Sequence, residues 1–168
     1  AGSWRIEREA TGEPFYCAVI EGRCRVTFVE EPPFILDAGD FVLVPAMRDL
    51  VNESIDAPRA LPAIVPKPMS DGRFRAGRPD GPPDLRMRIG HCSFGSPDAA
   101  LLVSLLPDVV VVRGEPRLAT LMQLVGEETR ERRPGRALVR ARLLEVLLLE
   151  APRSGTQPTG EPRLTRWL

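Results

Sequence analysis

The stretch that decides the fold is residues 34–45, Phe-Ile-Leu-Asp-Ala-Gly-Asp-Phe-Val-Leu-Val-Pro. The apolar runs Phe34–Leu36 and Phe41–Val44 have the length and composition of β-strands. The intervening Asp37–Asp40 carries typical turn residues, and Pro45 ends the second strand. The stretch therefore predicts two short strands joined by a tight turn.

Further strand patterns lie on both sides of this stretch. Phe15–Ile20 is an apolar run, and Arg23–Phe28 alternates polar and apolar residues, which is the period of a half-buried strand. Glu21-Gly22 between them predicts a tight hairpin turn. Leu85–Ile89 and the four valines Val109–Val112 add two more strands. Many short strands separated by turn residues indicate a sandwich or a barrel.

The last third of the chain changes to helical periodicity. The spacing of apolar residues predicts helices at Glu115–Arg132 and Arg136–Glu150, the second stopped by Pro152, and a shorter helix near 97–106. The expected organisation is a β domain at 1–113, an antiparallel helical pair at 114–151 and a linker at 152–168.

Composition limits the classes of function. Lys and Arg together number 23, as do Asp and Glu, so the net charge is zero. Domains that bind a phosphate backbone usually carry a basic excess, so the chain is not expected to bind nucleic acid by itself. No apolar run approaches the ~18–20 residues of a membrane span, and the three cysteines form no close pair. We therefore expect a cytoplasmic protein that has no membrane contact.

Two of these segments resemble the motifs of the cupin family. Gly39 to Pro45 has the spacing of the second cupin motif, in which a glycine, five residues and a proline follow one another, and Glu21-Gly22 fits the first motif. The resemblance implies a mainly β fold with some α, in which a double-stranded β-helix (jelly-roll) barrel precedes the helical pair.

A longer resemblance joins the barrel to the helices. Phe94–Pro107 is similar to the connecting segment in a subgroup of bacterial AraC-type transcription regulators, as are Val112-Arg113-Gly114 and Pro134-Gly135. It implies an effector-sensing and dimerisation domain that controls sequence-specific DNA binding by a C-terminal helix-turn-helix domain beyond Leu168. DNA contact is expected only through that domain. The alternative is a standalone cupin enzyme or a small-molecule binding protein.

The cupin metal positions of this chain carry no usual metal ligands. Many cupins hold a metal ion with two histidines and a glutamate from the first motif and a histidine from the second. Counted from Gly22, the glutamate position falls at Phe15, the second-motif histidine at Leu50, and the histidine pair at Glu9 and Thr11 or at Arg8 and Ala10. A transition-metal site needs three or four convergent donors, so we expect no metal, no other cofactor and no enzymatic activity.

The inward face of a small barrel is the natural pocket for one small molecule. Strand alternation and the single histidine give the candidate ligand-binding residues Phe15, Cys17, Val19, Cys24, Val26, Phe28 and His91. This mostly apolar lining suits an unknown apolar or aromatic effector, and it suits a packed core without a ligand equally well.

Three polar features of the chain each allow two interpretations. His91 is either a general base or ligand contact or, more commonly for a single histidine, a structural residue at a barrel rim. Cys17 and Cys24 flank the predicted hairpin and are either a redox switch or, more commonly, small buried hydrophobes. The irregular stretch 52–83 carries arginines that either cover the barrel mouth and pair with a carboxylate or stay solvated, namely Arg73, Arg75 and Arg78.

The helical pair is the expected homodimer surface. The second helix is apolar around most of its circumference, so one part must pack on the barrel and another part is available to a partner. A two-fold interface between equivalent helices would be isologous. The candidate dimerisation residues are Leu118, Leu121, Met122, Val125, Leu138, Leu144, Leu147 and Leu148.

Overall fold

The computed structural model describes residues 2–78, 80–91, 96–130, 133–154 and 157–158. The strands in these residues are Arg5–Arg8 (β1), Phe15–Glu21 (β2), Arg23–Phe28 (β3), Phe34–Asp37 (β4), Phe41–Val44 (β5), Leu50–Glu53 (β6), Lys67–Pro68 (β7), Phe74–Arg75 (β8), Arg86–His91 (β9), Val110–Val112 (β10) and Gln157–Pro158 (β11). The helices are Pro97–Leu105 (α1), Pro116–Arg130 (α2) and Arg136–Arg153 (α3).

Two antiparallel sheets and the helices form three layers. One sheet has the strand order β1-β6-β3-β4, and the other has the order β11-β10-β5-β2-β9. A first apolar core lies between the sheets, and a second core joins the outer face of the five-stranded sheet to α2 and α3. The mainly β fold with helices is therefore confirmed, whereas closure of the two sheets into a jelly-roll barrel stays a prediction.

The turn at residues 37–40 has the predicted form. The Asp40 N–H donates to the Asp37 carbonyl at 2.9 Å, and Gly39 takes a φ of 91°, in the left-handed region that glycine adopts without strain. The buried Asp40 carboxylate accepts the Asp37 N–H at 2.8 Å and pairs with Arg113, which follows β10. Arg113 thereby ties the end of β10 to the turn between β4 and β5.

The prediction of a hairpin at Glu21-Gly22 is wrong. The connection is tight, but β2 belongs to the five-stranded sheet and β3 to the four-stranded sheet, so the chain crosses from one sheet to the other. Gly22 has a φ of 81°, and a Cβ there would lie 2.0 Å from the Asp84 carbonyl oxygen. Glycine is needed at this crossing because no side chain fits between it and the segment before β9.

The helix boundaries differ from the prediction mainly at the C-terminal end. Helix α3 does not stop at Pro152 but continues to Arg153, and the Ser154 N–H donates to the Glu150 carbonyl at 3.1 Å. The prediction that Pro152 stops the helix is therefore wrong. The predicted linker at 152–168 also contributes β11, which pairs with β10, while its other residues after 154 lie outside the described ranges. None of the described helices is long and apolar enough to cross a membrane.

Candidate effector site and helical surface

The centre of the sandwich is filled by its own side chains. Six of the residues predicted to line a pocket lie between the two sheets, and each is at most 2% exposed: Phe15, Cys17, Val19, Cys24, Val26 and Phe28. They pack with Leu36, Val42 and Val44 from neighbouring strands. The predicted inward orientation is therefore the observed one, whereas a role of these residues in ligand binding stays a prediction.

His91, the seventh predicted residue, lies at the end of β9 and is accessible. Its side chain is 42% exposed, its Nδ1 atom is 4.0 Å from Glu13 Oε2, and its ring centroid is 5.5 Å from that of Phe15. His91 is paired with Phe15 in the register of β9 and β2, so the two rings share the inward face. The histidine thus marks the rim of the inter-sheet space. Its neighbour Cys92 lies outside the described residues.

The residues at the cupin metal positions do not fit a metal ion. Phe15 and Leu50 are buried in the inter-sheet core and offer no donor atom. Arg8, in one alignment a histidine position, brings a positive charge to the inward face beside Leu50. Within the described ranges, no three His, Cys, Asp or Glu side chains are grouped so that they could hold a metal ion.

The two cysteines lie in the inter-sheet core as free thiols. The pKa of Cys17 is raised to about 12, mainly by burial and secondly by the neighbouring Cys24, while the charge of Arg8 opposes both effects. Burial, followed by the charge of Asp37, raises the pKa of Cys24 to about 12. Because the thiolate is the reactive form of cysteine, both groups are poor nucleophiles near pH 7. The chemistry of the site therefore favours packing over the redox alternative.

One end of the inter-sheet space carries polar groups. Arg8 of β1 lies opposite Leu50 of β6, so both side chains point to the inward face. Arg8 Nε donates to Asn52 Oδ1 at 3.2 Å. Arg8 and Asn52 are called the Arg8 cluster below, and the inter-sheet core that they face includes Cys17 and has Met87 packed against it. The cluster places a cation against this apolar core.

A groove of about 390 Å³ separates the five-stranded sheet from α2. Its floor is apolar, and Arg88, Gln123, Glu127 and Arg130 contribute polar groups. Arg88 Nη1 donates to the Met122 carbonyl at 2.6 Å and thereby ties β9 to α2. The groove lies where the sheet meets the helical pair.

The helical pair uses its most apolar face within one chain. Six of the eight residues predicted for dimerisation are buried in the core that joins the helices to the sheet: Leu118, Met122, Val125, Leu144, Leu147 and Leu148. Leu121 packs against that core and is partly buried. The prediction that these seven residues contact a second subunit is therefore wrong, because they already pack against the outer face of the sheet in their own chain. Leu138, which is 64% exposed, remains available.

A second apolar face of α3 is open. Leu138, Val139, Arg142, Leu143 and Val146 line a shallow groove of about 330 Å³, and Leu149 continues the exposed stripe. The spacing of Val139, Val146 and Leu149 keeps their side chains on one side of the helix. These three residues, together with Leu138, are called the α3 stripe below.

The arginines of the 52–83 stretch are engaged within their own loop. Arg73 pairs with Asp71, and Arg75 donates to the carbonyls of Arg78 and Gly81 at 2.8 and 2.6 Å. The short β7–β8 hairpin organises the loop. The proposal that Arg73 and Arg75 cover the mouth of the barrel is therefore not supported, because their donors already have local acceptors.

Comparison with known families gives a match to the cupin family. The model of the cupin family matches residues 1–156, which is nearly the whole chain. Comparison with curated proteins found no match.

Proposed function

Because this chain belongs to the cupin family, we propose that it is the effector-sensing and dimerisation domain of a bacterial AraC-type transcription regulator. In this proposal the chain binds a small effector and forms a homodimer through α3. It thereby controls DNA binding by a helix-turn-helix domain carried elsewhere in the same protein. Phe15, Leu50 and, in one alignment, Arg8 stand at positions where many cupins have metal ligands, and this supports a non-enzymatic role.

The observation that carries the proposal is the arrangement of the two cores on one sheet. Side chains of β2 and β5 alternate, so that Cys17 and Val42 face the four-stranded sheet while Ala18 and Leu43 face the helices. A ligand that shifts the backbone of these strands moves both the inward and the outward side chains. The sheet is thus a mechanical link between an effector site and α3.

The mechanism is a shift between two arrangements of sandwich and helices. A ligand changes such an equilibrium only by as much as its affinity differs between the two states. A ligand in the inter-sheet space, or in the groove between the sheet and α2, makes different contacts when the helices move. Allosteric couplings of this kind are typically about 1–3 kcal/mol.

The α3 stripe supplies the surface for a second copy. The glutamates in the second half of α3 are already paired within the chain, Glu145 with Arg142 and Glu150 with Arg117. The open part of the helix is therefore apolar. Across a two-fold axis the same apolar patch on each copy packs against its equivalent, so we propose a second copy of the chain as the occupant of the stripe.

Sedimentation velocity of the full chain tests the dimer. We expect Val146→Glu to produce monomers, because it places a carboxylate in the centre of the α3 stripe. Leu124→Glu is the matched control, since Leu124 is comparably exposed, at 40% against 43%, but lies on α2. If wild type is monomeric at concentrations of tens of micromolar, or if Val146→Glu leaves a dimer unchanged, the dimer proposal fails.

A thermal-shift screen and metal analysis test the sensing role. A specific ligand raises the melting temperature by mass action, and the screen uses neutral and charged small organic molecules. Stoichiometric iron, manganese or zinc in the purified protein would instead favour the alternative of a standalone cupin enzyme.

A further inference from the structure

We propose that the Arg8 cluster is an anion-binding site that recognises the carboxylate of a small effector with an apolar body. The inference rests on the proposed sensing function and specifies its ligand class. Arg8 and Asn52 contact the carboxylate, and apolar side chains of β2 and β9 contact the body of the ligand.

The register of β1 and β6 fixes the position of both polar side chains. Arg8 lies opposite Leu50, and Ile6 lies opposite Asn52. Leu50 packs in the inter-sheet core, so Asn52, two residues further along β6, and Arg8 share its inward face. Arg8 therefore points to the inter-sheet core to which Cys17 of β2 belongs, and its charge acts to lower the pKa of that thiol.

Arg8 lacks the ionic partner that other arginines of the same sheet have. On the outer face, Arg5 and Arg25 both pair with Glu53, at 3.3 and 3.2 Å. Among the described residues, no carboxylate forms an ion pair with Arg8, and its hydrogen bond to the neutral Asn52 is the contact that holds it. Burial lowers the pKa of the Arg8 guanidinium, which reflects the cost of removing this cation from water.

An anion with an apolar body offsets that cost. A guanidinium presents parallel N–H groups that fit a carboxylate in two hydrogen bonds. Asn52 is 1% exposed and accepts a hydrogen bond from the Nε atom of Arg8, and among the described residues no acceptor is bound to the terminal nitrogens of Arg8. A divalent metal is the wrong occupant, because it would repel the arginine.

The surroundings of Cys17 supply the apolar part of the site. Cys17 Sγ is 3.9 Å from Met87 Sδ, and Ile89 lies opposite Cys17 in the register of β2 and β9. Met87 and Ile89 belong to an edge strand and are only partly buried against the core. A small aromatic or aliphatic group can therefore cover them while its carboxylate reaches Arg8.

Benzoate and benzamide are the probes that separate charge from shape. They have nearly the same size, and only benzoate carries a carboxylate. We expect millimolar sodium benzoate to raise the melting temperature of the full chain at constant ionic strength, and benzamide to have no such effect. Isothermal titration then gives the dissociation constant.

Three variants test which residues are needed for benzoate binding. Arg8→Gln should weaken benzoate binding at least about tenfold, which is the loss of a charge-assisted hydrogen bond. Asn52→Asp should abolish binding while keeping the fold, because the new carboxylate pairs with Arg8 in place of the ligand. Arg23→Gln is the matched control, since Arg23 is an exposed arginine of the same sheet that pairs with Asp37. It should bind benzoate like wild type.

The proposal is overturned if benzoate and benzamide act alike, if benzoate has no effect on wild type, or if Arg8→Gln binds benzoate normally. Should Arg8→Gln fail to fold, Asn52→Asp carries the test. A neutral ligand that stabilises wild type and Arg8→Gln equally would leave the sensing function standing and refute only the carboxylate site. An absence of any ligand and of any dimer would refute the sensing function itself.

Discussion

Gly126→Ala in α2 is expected to change the sign of its effect on stability when Arg88 is removed. A Cβ on Gly126 would lie 2.5 Å from Arg88 Cζ and 2.7 Å from Arg88 Nε. The new methyl group must therefore push the guanidinium away from its place over the helix. That displacement breaks the 2.6 Å hydrogen bond between Arg88 Nη1 and the Met122 carbonyl.

Two opposing magnitudes decide the outcome. Alanine in a helix interior is more favourable than glycine by about 1 kcal/mol. A hydrogen bond from a charged donor contributes about 1.5–3 kcal/mol. Gly126→Ala should therefore lower the free energy of unfolding by about 0.5–2 kcal/mol in wild type. In the Arg88→Ala background only the effect on helix propensity remains, so Gly126→Ala should raise the free energy of unfolding by about 1 kcal/mol.

Urea denaturation of the four chains in this double-mutant cycle measures the coupling. The m-values should agree, so that midpoints report stability alone. We expect a coupling energy of about 1.5–3 kcal/mol between the two positions. If Gly126→Ala stabilises both backgrounds by the same amount, Arg88 does not occupy the space above Gly126, and the described link between β9 and α2 is wrong.

The remaining predictions concern the two cores. Leu147→Ala should lower the free energy of unfolding by about 2–5 kcal/mol in urea, because Leu147 is completely buried against the sheet, whereas Leu149→Ala, at a 44% exposed position, should cost far less. Burial raises the pKa of Cys17 and Cys24 to about 12 in the folded protein. As the pH rises, the two thiols therefore lose their protons in the unfolded chain before they do so in the folded one. The free energy of unfolding should fall between about pH 9 and about pH 12, by roughly 1 kcal/mol per thiol and pH unit. A Cys17→Ala/Cys24→Ala variant should lose that part of the slope, and an unchanged slope would contradict the assigned burial.

Strand and helix patterns predicted most of the fold because each depends on local periodicity. The runs Phe15–Val19 and Phe41–Val44 carry a second pattern, which concerns both faces of the sheet. They are apolar at every position, and strands of that kind are covered on both faces. That signal places the helices on the outer face of this sheet and so explains why Leu144 and Leu147 are buried within one chain.

The Arg8 cluster could not be predicted from the sequence alone. β1 has a single apolar residue, Ile6, between charged ones, so its four residues give no strand pattern. β6 begins with Leu50 and ends with Glu53, which is equally uninformative. Only the pairing of these two strands shows that Arg8 points inward whereas Arg5 points outward.

The position of the cluster gives the sensing proposal a physical route to the helices. Cys17 belongs to the inter-sheet core that Arg8 faces, while its neighbours Tyr16 and Ala18 pack against the helices on the other face of the same strand. Close-packed interiors transmit small displacements. An anion that shifts the backbone of β2 at Cys17 would shift Tyr16 and Ala18 with it, and Ala18 lines the groove between the sheet and α2. The route needs no contact between the ligand and the helices, so a ligand can alter the α3 stripe from the far side of the sheet.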